Sequence, residues 1–451
     1  MGAGKTAIGR EVARLTARDF VDLDEEIERR HGPIATIFDE RGEAEFRRLE
    51  EAVATEAFSS VDPRVIALGG GAVTSAGVRS ALERRAFTVA VDVDPDDAWR
   101  RVRGSERPLA RDEAAFRRLF DERRPAYEDA ADAWARDTDG VLLASLGVEF
   151  APGALPRRLE ETRELPLIAD ERVYALHAAS VDREAHLVPP GEEAKTLAVV
   201  ERLWTELRAS RGTTLLALGG GSTTDVAGFV AATYMRGVDW AALPTTLTAQ
   251  VDAAIGGKTG INAANAKNLV GAFHFPVDVL IDPGVLATLP GEERRAGLAE
   301  VVKTGLLTGK ALWELSDEEM IRGAAAYKCA VVLSDPYETK GRREVLNLGH
   351  TFGHALEAAS DYRLSHGDAV ALGLLAALRL SGAPTDVVEE VLEPAPVRVD
   401  PERAWAALMR DKKAKDGSPR LVLLEAPGRP VAGVELPQAD IRAALDALIE
   451  R

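Results

Sequence analysis

The sequence predicts an α/β-plus-α chain of three domains: a parallel α/β domain over residues 1–145, an α/β nucleotide domain over 146–285 and an all-α domain over 286–451. Three observations predict it. Two apolar runs, 64–68 (RVIAL) and 214–218 (TLLAL), each end in three glycines, as buried parallel strands do where they feed a ligand-facing loop. A turn signal, Asp137-Thr138-Asp139-Gly140, is followed by Pro152, Gly153 and Pro156, which places a domain junction within 140–165. After residue 290 the segments 294–307, 319–333, 351–359 and 367–380 all read as helices.

Composition sets the bounds. Of 451 residues, 46% are hydrophobic and 29% charged, enough apolar material for several cores. The net charge of −17 argues against nucleic acid and anionic membrane as partners. The single cysteine, Cys329, excludes an intramolecular disulfide and fits a reducing compartment. With no bilayer-length apolar run and no leader pattern, a cytoplasmic enzyme is the expectation.

The chain opens Met1-Gly2-Ala3-Gly4-Lys5-Thr6, the end of the phosphate-loop pattern G-x-x-x-x-G-K-[ST]. Gly2 and Gly4 let backbone N–H groups wrap phosphates, Lys5 reaches the outer ones, and Thr6 ligates magnesium. The first glycine and the strand that precedes this pattern are not in the sequence. Downstream, 44–58 is charged and amphipathic, hence helical, and 87–93 (FTVAVDV) reads as a second parallel strand.

An ordered set follows the loop: Asp22-Leu23-Asp24, Gly42-Glu43, Phe46-Arg47 with Glu50, Gly69-Gly70-Gly71, Arg107-Pro108-Leu109, then Arg123 and Tyr127. Over residues 1–135 this set resembles shikimate kinase, a P-loop NTPase-type fold. The resemblance implies ATP with Mg²⁺ at Gly2, Gly4, Lys5 and Thr6, with Asp22 near the metal. It assigns Asp24, Arg47, Gly70, Gly71 and Arg123 to shikimate, and Arg107 to a lid over the transferring phosphate. Arginine forks suit a carboxylate, and a lid arginine offsets charge developing on the phosphoryl group. The first strand is missing and the final helix stops short after Asp139, so the expectation is a start upstream and weak or no kinase turnover from the chain as written.

The second triglycine stretch continues as Gly219-Gly220-Gly221-Ser222-Thr223-Thr224-Asp225, a strand-to-helix turn that brings backbone close to a pyrophosphate. It is followed by Tyr234-Met235-Arg236-Gly237, Thr245-Thr246, Val251-Asp252, Gly256-Gly257-Lys258-Thr259 and Lys267-Asn268, and preceded by Pro190-Gly191-Glu192 with Lys195. From about 165 to 430 the chain is similar to the sugar-phosphate cyclases, most of all to the 3-dehydroquinate synthases. That likeness places NAD against Asp170, Glu192, Lys195, Gly220, Gly221, Asp225, Thr245, Thr246, Lys258, Lys267 and Asn268. Arg172 stands where the family usually has an asparagine near the adenosine ribose.

Three of only seven histidines fall between 350 and 366. His350 and His354, one helical turn apart, would by local sequence alone both be ligands. The resemblance instead gives Glu300, His350 and His366 to Zn²⁺ (or Co²⁺) and His354 to the substrate. Two His and one Glu leave an open coordination position, the catalytic arrangement. The substrate phosphate and carboxylate fall to Arg236, Lys303, Lys328, Arg343, Asn347 and one of Lys412 and Lys413, with the loop before Arg343 one residue longer than usual. Asp252 and His354 are expected to relay protons.

The resemblance implies cyclisation of a seven-carbon heptulosonate phosphate: oxidation at C5 by NAD, elimination of phosphate, return of the hydride, ring opening and an internal aldol closure to 3-dehydroquinate, without net redox change. A homodimer is the expected assembly. The competing readings are another cyclase making an inosose or a valiolone, a metal-dependent alcohol dehydrogenase, and an N-terminal module that binds ATP or shikimate without turnover.

Overall fold

The computed structural model describes residues 2–103, 112–263, 266–410 and 419–450. The chain divides into two compact units, Met1–Leu146 and Gly147–Arg451.

In the first unit β1 (Asp19–Asp22) pairs in parallel with β2 (Arg64–Ala67), and β3 (Val89–Val91) with β4 (Ala133–Ala135), so the described strands form two small sheets. Gly4, left-handed at φ 84°, caps the Lys5–Thr16 helix. Asp22 ends β1 and caps the Leu23–His31 helix, its carboxylate accepting from the N–H groups of Asp24 and Glu25. The helix expected over 44–58 is the second half of Ile34–Ala57, which kinks at Gly42 (φ 78°). Its buried Phe46, Leu49, Val53 and Ala57 recur at helical spacing and close a core with Leu23, Ile27, Val78 and Leu82.

The second unit is built on a six-stranded parallel sheet in the order β5 (Val148–Phe150), β12 (Asp278–Ile281), β9 (Trp240–Pro244), β8 (Leu215–Gly219), β6 (Leu167–Asp170), β7 (Ala185–Val188). Every residue of β6, β8 and β9 is buried, as expected of strands covered on both faces. From β6 the chain runs outward to β7 and then back across to β8. The crevice beyond the carboxyl ends of β6 and β8 is therefore a topological switch point. The 140–165 stretch, read from its prolines as a junction, also contains an edge strand (β5) and the Leu155–Glu161 helix. Asp282, just past β12, fastens this stretch by accepting from Gly153 N (2.7 Å) and Leu155 N (2.9 Å). An antiparallel hairpin, β10 (Lys258–Ala263) with β11 (Ala266–Phe273), follows β9.

The C-terminal part carries the expected helices: Gly291–Thr308, Asp317–Ser334, His350–Ala359 and His366–Ser381. The all-α expectation is corrected by an antiparallel hairpin, β13 (Leu421–Ala426) with β14 (Arg429–Val434). Leu421 to Leu424 form an unbroken apolar run buried against the His366–Ser381 helix, and a run buried throughout has no period to separate strand from helix. Among the described residues no helix is long and apolar enough to cross a membrane.

Candidate functional site

The site begins with two helices that touch through glycine. Gly349 adopts φ 78°, and a Cβ there would press on the Leu374 backbone nitrogen at 2.8 Å. A side chain on Gly373 would collide with the carbonyl of Gly349, and one on Gly353 would sit 2.9 Å from Ala369 O. This close approach puts His350, the first residue of one helix, beside His366, the first residue of the other. Glu300 arrives from the middle of the Gly291–Thr308 helix, fully buried. Its Oε1 lies 3.4 Å from His350 Nε2 and 3.3 Å from His366 Nε2, and the three ligand atoms fall within 4.8 Å of one another.

The donor set fits a divalent cation. His350 Nδ1 faces Leu348 O at 3.2 Å and His366 Nδ1 faces Glu357 Oε1 at 3.6 Å. Each ring can give its Nδ1 proton away from the cluster and turn a bare Nε2 toward Glu300. His354 packs beside both rings, at centroid distances of 5.4 Å and 6.5 Å, yet is not part of the ligand cluster.

Cations and one aspartate surround this cluster. Lys303, one turn from Glu300 and fully buried, pairs with it. Lys328 donates to Asp252 Oδ1 at 2.5 Å. Asp252 sits in a π-helical turn, Ala249–Ala253, a wide turn often found at functional sites. Burial pushes the Asp252 carboxyl up, but Lys328 and Lys303 outweigh it and hold it below its ordinary value. Burial acts the same way on Glu300, and Lys303 and His350 reverse it, leaving Glu300 well below the carboxylate range. Lys328 itself is lowered by burial against the pull of Asp252. Arg343 is buried and donates to Gly256 O (3.2 Å) and Pro336 O (3.0 Å). Lys258 pairs with Glu338, which also lies 3.7 Å from Arg343 Nε. Asn347 is turned to its own loop, donating to Glu344 O at 3.0 Å.

The residues expected to hold the nucleotide gather at the switch point. Gly220 caps the Gly221–Thr233 helix, which points its positive end into the crevice, and a Cβ there would come within 2.9 Å of Thr246. Asp170 caps the Glu171–His177 helix by accepting from Arg172 N (2.8 Å) and Val173 N (3.2 Å). Lys195 pairs with Asp225 at 2.5 Å and with Asn268, which is left-handed at φ 54°. Glu192 accepts from Asn262 at 2.7 Å. Thr245 Oγ1 is buried without a hydrogen-bond partner among the described residues, so the cradle holds a polar atom that a dinucleotide would satisfy. Withdrawal from water pushes Asp225 up to about 6, against Lys195. Lys267 reaches the metal side, with Nζ 3.2 Å from Glu357 Oε1.

The first unit assembles a second constellation. Thr6 Oγ1 donates to Asp22 Oδ2 at 2.6 Å, and Arg101 meets Gly2 O at 3.2 Å. Lys5 opens the helix behind Gly4. Arg47 pairs with buried Glu50 at 2.6 Å, and its guanidinium covers Gly71 closely enough that a Cβ there would overlap it. Arg123 and Tyr127 both donate to Gly70 O, at 3.0 and 2.6 Å. Asp24 lies beside Glu50 at Gly69.

Arg236 stands apart, exposed on a left-handed turn (φ 70°) and without an ion pair to the other candidates among the described residues. Arg107, Lys412 and Lys413 lie outside the described residues. Sequence reasoning missed Glu338 and Glu357. Glu357 follows His350 by seven residues, two turns on one helical face, which is the signal that marks it. Glu338 carries no spacing signal at all.

Family models match in the same arrangement: shikimate kinase over residues 1–141, 3-dehydroquinate synthase N-terminal over 185–296 and 3-dehydroquinate synthase C-terminal over 297–414. A bifunctional shikimate kinase/3-dehydroquinate synthase from Thermotoga maritima is 34% identical, covering 93% of each chain. A 3-dehydroquinate synthase from Rhodospirillum rubrum is 40% identical over 71% of this chain and 99% of its own. Among solved structures, a 2-epi-5-epi-valiolone synthase from Streptomyces hygroscopicus with NAD⁺ and Zn²⁺ bound superimposes with a TM-score of 0.60, at 27% identity over 67% of this chain and 96% of that one. With two constellations in two units and a relative matching nearly end to end, the chain belongs to the bifunctional shikimate kinase/3-dehydroquinate synthase family.

Proposed function

We propose that the second unit converts 3-deoxy-D-arabino-heptulosonate 7-phosphate to 3-dehydroquinate and phosphate, and that the first phosphorylates shikimate at its 3-hydroxyl with ATP. The observation that carries the first reading is the Glu300–His350–His366 cluster, buried at Glu300 and His350 and partly open at His366, ringed by Lys303, Lys328 and Arg343 and joined to the nucleotide cradle by Lys267. When bound, NAD takes and returns a hydride and the zinc ion polarises the substrate hydroxyl.

The chain's own residues do the rest. Lys258, Lys303, Lys328 and Arg343 hold the substrate's phosphate and carboxylate, with Asn347 and Arg236 completing the set and Lys412 or Lys413 adding a cation. Desolvation strengthens the contacts of buried Lys303, Lys328 and Arg343. Asp252, kept ionised by Lys328 and Lys303, accepts and orders protons, and His354 faces the metal cluster as proton donor. Asp170, Glu192, Lys195, Gly220, Gly221, Asp225, Thr245, Thr246 and Asn268 hold the dinucleotide. In the first unit Gly2, Gly4, Lys5 and Thr6 cradle ATP and its magnesium with Asp22. Arg107 is assigned to the transferring phosphate. Asp24, Arg47, Gly70, Gly71 and Arg123 hold shikimate.

The relatives' names favour dehydroquinate over an inosose or valiolone, since the dehydroquinate synthase relative is 40% identical against 27% for the valiolone synthase. Exposed Leu269, Val270 and Phe273 on β11 support a homodimer, which sedimentation tests. The deciding assay mixes the protein with the heptulosonate phosphate, NAD and zinc. Phosphate release that stops with chelator and leaves no net NADH supports the reading, and net NADH formation turns it into a dehydrogenase. ATP turnover that depends on shikimate tests the kinase half in the same preparation.

A further inference from the structure

Glu357 is almost fully buried, and a carboxylate survives there only with partners. Its Oε1 lies 3.2 Å from Lys267 Nζ and 3.6 Å from His366 Nδ1. His366 Nε2, on the other side of the ring, lies 3.3 Å from Glu300 Oε1. The ring is thus held between two carboxylates, one in the ligand cluster and one behind it. His350 has only a backbone carbonyl in the corresponding place. Among the described residues, His366 is the one of the two ligand histidines whose Nδ1 is backed by a charge, and that charge is shared with the nucleotide side.

The sharing is continuous. Lys267 precedes Asn268, whose Oδ1 meets Lys195 Nζ, which in turn pairs with Asp225 on the Gly221–Thr233 helix. Glu357 also fixes the turn that delivers His366. Its carbonyl accepts from Tyr362 N (2.8 Å) and Ser360 Oγ (2.9 Å). Asp361 and Tyr362 are both left-handed, at φ 54° and 59°, a strain that persists where the surroundings over-determine it. The Tyr362 ring lies over Lys267, 4.7 Å from its Nζ. The backbone of Glu357 therefore holds the turn that leads to His366, and its side chain holds the His366 ring and the lysine of the nucleotide hairpin.

We propose that Glu357 is a positioning residue: it sets the His366 ring for the cation and, through Lys267, couples metal binding to dinucleotide binding. This rests on the reading of the cluster as a zinc site beside NAD. The test measures zinc affinity by competition with a chromophoric chelator, without substrate, and NAD affinity by calorimetry with and without zinc. Wild type is expected to bind NAD about fivefold or more tightly once zinc is present. Glu357→Ala is expected to bind zinc about 10–100-fold more weakly. Glu357→Gln keeps an acceptor for the His366 Nδ1 proton but no charge for Lys267, so it recovers most zinc affinity and loses the effect of zinc on NAD. Lys267→Gln keeps zinc affinity and loses the same coupling. Thermal melts establish that each variant is folded, and the isosteric Gln variant decides the coupling if the Ala variant is not. Wild-type zinc affinity in folded Glu357→Ala overturns the proposal, and so does NAD affinity in wild type that ignores zinc. Phosphate release by wild type is scored separately. Its absence beside intact coupling sinks the reaction and leaves Glu357 its role, whereas its presence with zinc-tight Glu357→Ala sinks this proposal alone.

Discussion

Three imidazoles crowd one end of two helices, and their different surroundings give them different work. His350 and His366 turn Nε2 to a buried carboxylate, whereas His354 packs on both rings from outside. His366→Ala is expected to lose zinc at stoichiometric loading and phosphate release together. His354→Ala is expected to keep zinc within a few-fold, read by metal analysis after gel filtration, while phosphate release drops about 10²–10⁴-fold. A zinc-free His354→Ala protein would make it a ligand after all. Asp225 offers a pH signature. Its pKa of about 6 lies above the unfolded 3.8, so the folded chain holds this proton more tightly. Its contribution to stability is full below the unfolded pKa and is lost as pH rises through about 6. Asp225→Asn imitates the protonated form at every pH. Its stability in denaturant melts, relative to wild type, is expected to rise by about 2 kcal/mol from pH 4 to pH 7. A flat difference across that range removes the raised pKa. Candidate site residues with a motif around them could be named from the chain: glycine-flanked His350, Lys258 behind Gly256-Gly257, Asp225 in the Gly-rich turn. Glu338 could not, because its role exists only where the 335–343 loop folds back on Lys258 and Arg343.

Elements were legible in proportion to their length and period. The four long helices after residue 290 show in the sequence because each spans several turns, whereas three-residue β5 and the unbroken apolar run of β13 carry too little pattern. The packing of helix on helix was less visible, and it decides the metal site. A methyl group at Gly373 would overlap the carbonyl of Gly349, the residue before His350. Gly373→Ala is expected to cost about 1–3 kcal/mol by overpacking and to weaken zinc binding by moving His350 away from His366. Gly291→Ala, with open space around its position, is expected to stay within about 0.5 kcal/mol. Chemical denaturation and zinc competition on the pair check both. Equal behaviour of the two variants would mean that the helices can shift without disturbing the ligands.

At the scale of the molecule, two units carry separate sites and separate cores. Leu23, Phe46 and Val53 belong to one cluster, and Val302, Phe352 and Leu374 to another. A cluster of this size is what a domain needs to unfold cooperatively by itself. The acidic net charge of −17 coexists with a cluster of buried cations because Lys303, Lys328 and Arg343 are each paired locally, with Glu300, Asp252 and Glu338, so the cluster is invisible in the composition. A ligand that binds only one unit stabilises that unit by about 2.7 kcal/mol at a hundredfold excess over its Kd and leaves the other where it was. Scanning calorimetry of the whole chain is therefore expected to resolve two transitions. Zinc with NAD is expected to raise one of them, and shikimate with a non-hydrolysable ATP analogue the other. A single transition that moves under either ligand pair would mean that the two activities share one cooperative fold.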